Sequence, residues 1–181
     1  MESTDTDVDG RPEVHVRRVE QPDLPDLLRM VTALAAHHGD TARVSLDTLA
    51  RDVLGDAPWL WTLVAEVGGS LVGYAASCPP AQMHFGLRRM YLQHLYVDPD
   101  VRGSGIGRRL IEASTSLARA LDCDVMVVGT EPDNHAAQAV YAACGFEALP
   151  GDGSHFWKKV APPQDADAQS SCKAHRASDF G

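Results

Sequence analysis

The stretch that most constrains this chain is Val97-Asp98-Pro99-Asp100-Val101-Arg102-Gly103-Ser104-Gly105-Ile106-Gly107-Arg108-Arg109. Ahead of it, Tyr91 to Val97 is a run of β-formers, stopped by Asp98-Pro99-Asp100. Behind it, Ile106, Leu110, Ala113, Leu117 and Leu121 recur in steps of three and four, the stripe of an amphipathic helix. The chain must leave a strand, turn through three glycines and start a helix. The first N–H groups of a helix have no partner within it and carry the positive end of its dipole. Glycine lets an anion come close to them. The pattern favours a phosphate or diphosphate, with Arg102 and Arg108 flanking it. The dinucleotide pattern GxGxxG fails, because Arg108 stands where its last glycine belongs, and no Gly-Lys-Ser/Thr follows to make a P-loop. On glycine content alone, a plain tight turn competes with the anion site.

The rest of the core reads around this loop. His15 to Val19 is a short strand. Leu27, Leu28, Val31, Leu34 and Ala35 form a helical face after Pro22 and Pro25, ended by Gly39. Ser45 caps a second helix with Leu46, Leu49, Val53 and Leu54 on one face. Trp59 to Val67 and Leu71 to Ser77, split by Gly68-Gly69-Ser70, make a hairpin. Asp124 to Gly129 is short, apolar and β-branched, as a buried parallel strand is. Asn134 caps a helix running to Cys144, and His155 to Val160 is the last strand. The order β-α-α-β-β-β-α-β-α-β predicts a mixed α+β domain over residues 13–160.

Charge excludes some functions. The 181 residues carry 16 Lys and Arg against 25 Asp and Glu, a net of −9, which argues against a nucleic-acid-binding face. The acidic stretch 1–12 and the Pro-, Ala-, Asp- and Ser-rich stretch 161–181 are expected to be disordered tails. They carry −3 and −1, leaving −5 for residues 13–160. No signal-peptide pattern is present, and no apolar run reaches the roughly 18 residues of a membrane span. Four cysteines without a CxxC pair suit free thiols in a reducing compartment, so the expected location is cytoplasmic. No HExxH or similar spacing marks a metal site.

Two blocks carry a family resemblance. Arg102-x-x-Gly105-x-Gly107, after Leu95-Tyr96-Val97, resembles the acetyl-CoA loop of the GNAT N-acetyltransferases. Asn134-x-x-Ala137-x-x-x-Tyr141-x-x-x-Gly145-Phe146, with a strand between, resembles the family's other recurrent stretch. Within the superfamily the chain looks most like the diamine (spermidine/spermine-type) acetyltransferases. The likeness lies in Leu34-Ala35, Val44-x-Leu46-x-x-Leu49, Leu63-Val64-Ala65-Glu66, Val72-Gly73-Tyr74 and Tyr91-Leu92-x-x-Leu95-Tyr96-Val97. The resemblance implies a GNAT fold: a central mixed, mostly antiparallel sheet of about six to seven strands, about four flanking helices, and a splayed parallel pair where the cofactor binds.

The implied reaction moves an acetyl group from acetyl-CoA directly to a primary amine of a small molecule, diamine-like or amino-acid-like. A protein or peptide amino group is the alternative acceptor, and a non-catalytic acyl-CoA sensor is the alternative of another class. The resemblance assigns the diphosphate of coenzyme A to Arg102, Gly103, Ser104, Gly105, Ile106, Gly107 and Arg108. It lays the pantetheine arm along Leu95, Tyr96 and Val97, with Asn134 on the same arm. A backbone N–H of that strand becomes the oxyanion donor. Tyr141 becomes the general acid, protonated at neutral pH by its ordinary pKa. Diamine acetyltransferases have acidic residues where Gln93 and His94 stand. Gln93 can orient a water but takes no proton; His94 has a suitable pKa; Glu66 lies on a neighbouring strand. Alternation sets Gln93 and His94 on opposite faces. By analogy the chain is expected to form a homodimer.

Smaller expectations complete the reading. Trp59 and Trp61 are expected in the core, and Arg88-Arg89 on a solvated surface. Cys123 and Cys144 are expected as buried hydrophobes, and His37-His38 at a helix end.

Overall fold

The structure is a computed structural model describing residues 13–148 and 155–160, so the tails expected at 1–12 and 161–181 lie outside the described residues. It contains four α-helices and eight strands, two of them only two residues long. The chain divides into two compact units, one of residues up to 78 with 94–114, the other of 79–93 with the residues from 115 onward.

In the first unit, strand β1 (Val14–Arg18) leads into helix α1 (Leu24–His37). Helix α2 (Leu46–Val53) follows, and then the hairpin of β2 (Trp61–Val67) and β3 (Ser70–Cys78). The strands pair in the order β1-β2-β3-β5, where β5 (Leu87–Val97) contributes its last residues here. β1 with β2 and β2 with β3 are antiparallel. Ser45 caps α2: its hydroxyl accepts from Thr48 N–H at 3.2 Å, and Thr48 Oγ1 accepts from Ser45 N–H at 2.9 Å. The core sets Leu24, Leu27 and Met30 of α1 and Leu49 and Val53 of α2 against Val64, Tyr74, Ala76 and Tyr96 of the strands.

A partly buried ion network fixes the start of α1. The Arg17 guanidinium donates to both Asp23 oxygens, at 2.6 and 3.0 Å, and to Glu66 Oε2 at 3.0 and 3.2 Å. Hydrogen bonding from Arg17 holds the Asp23 carboxyl below its ordinary value against the opposing pull of burial. Glu66, one of the three candidate bases, is thereby occupied by a structural partner.

In the second unit β5 pairs with β6 (Val125–Gly129) in parallel, and β6 pairs antiparallel with β8 (His155–Lys159), which pairs with β7 (Glu147–Ala148). The short β4 (Ala81–Gln82) lies antiparallel on β5. Helix α3 (Ile106–Ala120) runs from the first unit into the second, and α4 (His135–Ala143) belongs to the second. Around α4, Tyr141 packs on Phe146 and Phe156, and Lys158 Nζ lies 4.8 Å from the Phe146 ring centre while donating to Cys144 O. The expected parallel pair is present, and its ladder runs only from Arg89–Val125 to Leu92–Val128, while β5 continues to Val97.

Three expectations need correction. Trp59 is 80% exposed, because β2 begins only at Trp61, after Pro58 and a bend; Trp61 is half-buried beneath the Arg18 guanidinium. Arg88 is exposed as expected, but Arg89 is half-buried, because both lie within β5, which starts four residues earlier than its β-formers suggest; Arg88 N–H donates to Asp124 Oδ2, and Asp124 N–H returns the bond to Arg88 O. Cys144 is half-buried, whereas Cys123 is buried as expected.

Gly73 shows how tightly β3 and β5 approach. A Cβ there would lie 2.8 Å from the Tyr96 carbonyl oxygen and 3.3 Å from Leu110 Cδ1. The oxygen is backbone and has nowhere to move. Gly73→Ala is expected to lose about 2 kcal/mol of stability in urea unfolding, the usual cost of overpacking.

Candidate active site

The glycine loop forms at the end of β5. Asp98, the first residue past the strand, is bound from several sides. Arg29 of α1 donates to its two oxygens at 2.9 and 3.0 Å, and Tyr96 donates its hydroxyl to Oδ1 at 2.9 Å. Asp98 N–H donates to Val72 O on β3 at 2.8 Å, and Arg29 also reaches Leu71 O. Burial pulls the Asp98 carboxyl up, but the bonds from Arg29 and Tyr96 outweigh it and hold it below the usual carboxylate value. Tyr96 is raised, first by burial and then by its bond to Asp98.

Beyond this anchor the chain makes a single helical turn at Pro99–Val101 and enters the glycines. Arg102 Nε donates to Val97 O at 3.0 Å, and Ser104 Oγ donates to Val101 O at 2.6 Å, so both side chains brace the loop. Gly103 and Gly105 have φ of +81° and +88°, the left-handed region where other residues are strained. Gly107 is different. Its φ is not in that region, and a Cβ on it would meet only Val97 Cγ2, at an ordinary 3.8 Å. Nothing in the fold requires glycine there, on a helix turn where glycine costs stability. Arg109 N–H donates to Gly105 O, and the amides ahead of it in the first turn have no carbonyl one turn back. Arg108 is held by Glu112 at 2.9 Å along the exposed helix face. Ile106 is buried beneath the loop. The loop fits a diphosphate: an open, glycine-walled row of amides at a helix start.

On β5 the backbone alternates. The Tyr96 carbonyl and the Asp98 N–H face β3. Leu95 and Val97 therefore turn their N–H groups to the other edge, past the end of the parallel ladder. Of the three strand residues expected on the pantetheine arm, these two have the right backbone direction. The Tyr96 side chain is spent on Asp98.

Side chains also alternate along β5. Gln93 is exposed. His94 lies on the opposite face with Tyr96, and its Nδ1 is 3.1 Å from the Tyr74 hydroxyl, with the two rings edge-on. Burial, then the nearby His38, pull His94 below the ordinary imidazole value. In the second unit Asn134 caps α4, its Oδ1 accepting from Ala137 N–H at 3.0 Å, which leaves its amide NH2 to donate. Tyr141 is buried, and that burial, with Tyr91 and Cys144 nearby, pushes its phenol up to about 12. The sequence reading missed Arg29 and the role of Asp98. An arginine on the polar face of α1 gave no hint of its partner 69 residues away.

The family model described as the Acetyltransferase (GNAT) family matches residues 27–146. The chain belongs to this family. Thialysine N-epsilon-acetyltransferase of Bos taurus is 28% identical over 156 residues, 80% of this chain and 91% of that protein. The human spermidine/spermine N(1)-acetyltransferase-like protein 1 is 30% identical over 120 residues, 61% of this chain and 17% of that protein. Among solved structures, YncA of Salmonella typhimurium, determined with its cofactor acetyl-CoA, superposes with a TM-score of 0.66 at 22% identity, covering 86% of this chain and 98% of that one. As a GNAT member the chain has the expected fold, its eight strands exceeding the expected number by the two-residue β4 and β7.

Gly107→Ala separates a binding glycine from a folding one. Its urea midpoint is expected to be unchanged or higher, since alanine gains up to about 1 kcal/mol over glycine in a helix. Coenzyme A affinity, read by calorimetry, is expected to fall about tenfold as the methyl group enters the anion's approach.

Proposed function

We propose that this protein transfers the acetyl group of acetyl-CoA to the primary amine of a small aliphatic molecule, diamine-like or amino-acid-like. The observation that carries the reading is Gly107: a helix-start glycine with no steric or φ requirement, beside a row of first-turn amides. Family membership supplies the acetyl donor, and the names of the two relatives point to aliphatic amines. Bound acetyl-CoA supplies an activated acyl thioester.

The chain's own groups do the rest. Amides of residues 103–107, with Arg102 and Arg108 beside them, hold the diphosphate. Leu95 and Val97 bond the pantetheine arm along the strand edge, and Asn134 donates to it. An N–H of the same edge stabilises charge developing on the thioester oxygen. Gln93 and His94 lie on opposite faces of β5, so one of them at most meets the acceptor. Tyr141 gives its proton to the departing sulfur. Its raised pKa keeps it fully protonated, and a thiolate in equally dry surroundings is raised in the same way, so the transfer stays matched. Holding donor and amine together converts a bimolecular step into a local one.

We place the protein in the cytoplasm as a homodimer without a nucleic-acid partner. The supports are its acidic balance and the free thiols of Cys78, Cys123 and Cys144. Among the described residues, no helix is long and apolar enough to cross a membrane, and no group of three His, Cys, Asp or Glu is placed to hold a metal.

Incubation with acetyl-CoA and a panel of polyamines, amino acids and peptide N-termini is expected to release free coenzyme A with aliphatic amines first. Tyr141→Phe is expected to lower kcat about 100-fold with little change in acetyl-CoA affinity. Equal turnover by the variant would remove Tyr141 from the mechanism. Sedimentation at assay concentration is expected to give twice the chain mass.

A further inference from the structure

Three groups compete to take the proton that an ammonium must lose before it attacks. Glu66 is bound by the Arg17 guanidinium at 3.0 and 3.2 Å, a structural tie to Asp23 and β1. Gln93 has no basic atom. His94 remains, one residue ahead of the Leu95–Val97 edge, half-buried, and held through a single ring nitrogen by the Tyr74 hydroxyl at 3.1 Å. We propose that His94 is the catalytic base of the transfer: Tyr74 accepts a hydrogen bond from Nδ1–H, and the bare Nε2 takes a proton from the acceptor's ammonium group. The inference rests on the acetyl-transfer reading given above.

The step balances. The ammonium N–H passes its proton to Nε2 and keeps the electron pair. That pair forms the new bond to the thioester carbonyl carbon. The adduct nitrogen, now positively charged, loses its second proton to water. The carbon–sulfur bond then breaks, its electrons leave on sulfur, sulfur is protonated by the general acid, and that acid takes a proton back from solvent, so the turnover releases one proton net. His94 returns its extra proton to solvent between turnovers. The exposed His38, at the end of α1, is the titratable neighbour on that side.

The local chemistry suits a base. The groups facing His94 are Tyr74 from β3, Tyr96 two residues along its own face, and His38 from the end of α1. Asp98 and Arg29 are directed at the Tyr96 hydroxyl and at each other. No carboxylate is bonded to the ring among the described residues, and a carboxylate would trap it as imidazolium. Burial and His38 favour the neutral form, so the bare nitrogen exists throughout the neutral range. Tyr74, itself raised by burial, stays a neutral phenol that accepts from Nδ1–H whether the ring is neutral or charged. Tyr74 is thus a positioning residue, fixing which nitrogen is bare.

The sign of the pH dependence follows. Protonated His94 accepts nothing, so kcat is lost as pH falls through its pKa, below the ordinary value of about 6.5. Removing the Tyr74 oxygen takes a hydrogen bond from the imidazolium more than from the neutral ring. Tyr74→Phe therefore moves this limb to lower pH, by about half a unit for a bond of ordinary strength.

The test has two arms. Nitrogen-15 spectra of histidine-labelled protein, with His94→Gln to assign the signals, read the tautomer without any substrate. A proton on Nδ1 and a bare Nε2 in the neutral ring is expected; a proton on Nε2 overturns the proposal. In the second arm, His94→Gln is assayed with an amine that the panel shows to be acetylated. Its kcat is expected to fall about 100-fold, with acetyl-CoA affinity by calorimetry within about twofold of wild type. Exogenous imidazole is expected to restore turnover in His94→Ala, and Tyr74→Phe to show the limb shift, which a purely structural role would not produce. Wild-type kcat in His94→Gln, or a limb that moves to higher pH in Tyr74→Phe, overturns the proposal. Failure of every amine to turn over overturns the acetyl-transfer reading itself, whereas turnover that ignores His94 overturns only this inference.

Discussion

Asp98 is the point on which the candidate site depends. It sits where β5 stops being a strand, and three groups fix it there: the Arg29 guanidinium from α1, the Tyr96 hydroxyl, and through its own N–H the Val72 carbonyl of β3; Arg102 closes onto Val97 beside it. An exposed Arg–Asp pair is worth little by itself. This one is different because Asp98 is mostly shielded and also takes a neutral donor, so its lone pairs are largely used. The consequence is positional. A loop of three glycines has many conformations, and the chain entering it needs a fixed origin if its amides are to converge on one anion. Gly73 serves the same end from below, letting β3 come close enough for the Val72 carbonyl to reach Asp98.

A net charge of −9 and a site for a highly anionic cofactor look contradictory. They coexist because the attraction is short-ranged. Screening confines surface charge to about 8 Å at physiological ionic strength, whereas first-turn amides contact the anion directly. Arg108 is partly neutralised by Glu112, and Arg102 spends one donor on Val97. On the proposed reading the amides carry most of the recognition, and an acidic surface is compatible with it.

Much of this was legible in the sequence, for identifiable reasons. The loop at 102–107, the Asn134 cap and the buried parallel strand each have a local signature of caps, glycines or periodicity, and each is present in the structure. What failed was non-local or too short. Trp59 looked like core because its neighbour two residues on lies in a strand, yet pairing starts only at Trp61. The β4 and β7 pairs have no periodicity to detect in two residues. Arg29 with Asp98, Arg17 with Glu66 and Tyr74 with His94 span 69, 49 and 20 residues. Such pairs follow from strand register and helix placement, which composition and spacing do not encode.

Burial has opposite effects on the two groups assigned to proton transfer, and each effect is the useful one. Desolvation penalises whichever form is charged. For Tyr141 the charged form is the phenolate, so burial raises the pKa to about 12 and preserves the proton an acid must hold. For His94 the charged form is the imidazolium, so burial lowers the pKa and preserves the lone pair a base must offer. A carboxylate at position 94 would respond in the other direction, drifting upward as it was buried unless cations or donors compensated. Histidine reaches the basic state through the same apolar packing that builds the core. The Tyr74 hydroxyl, 3.1 Å from Nδ1, is the one side-chain partner shown for the ring among the described residues, whereas a buried carboxylate would require several donors.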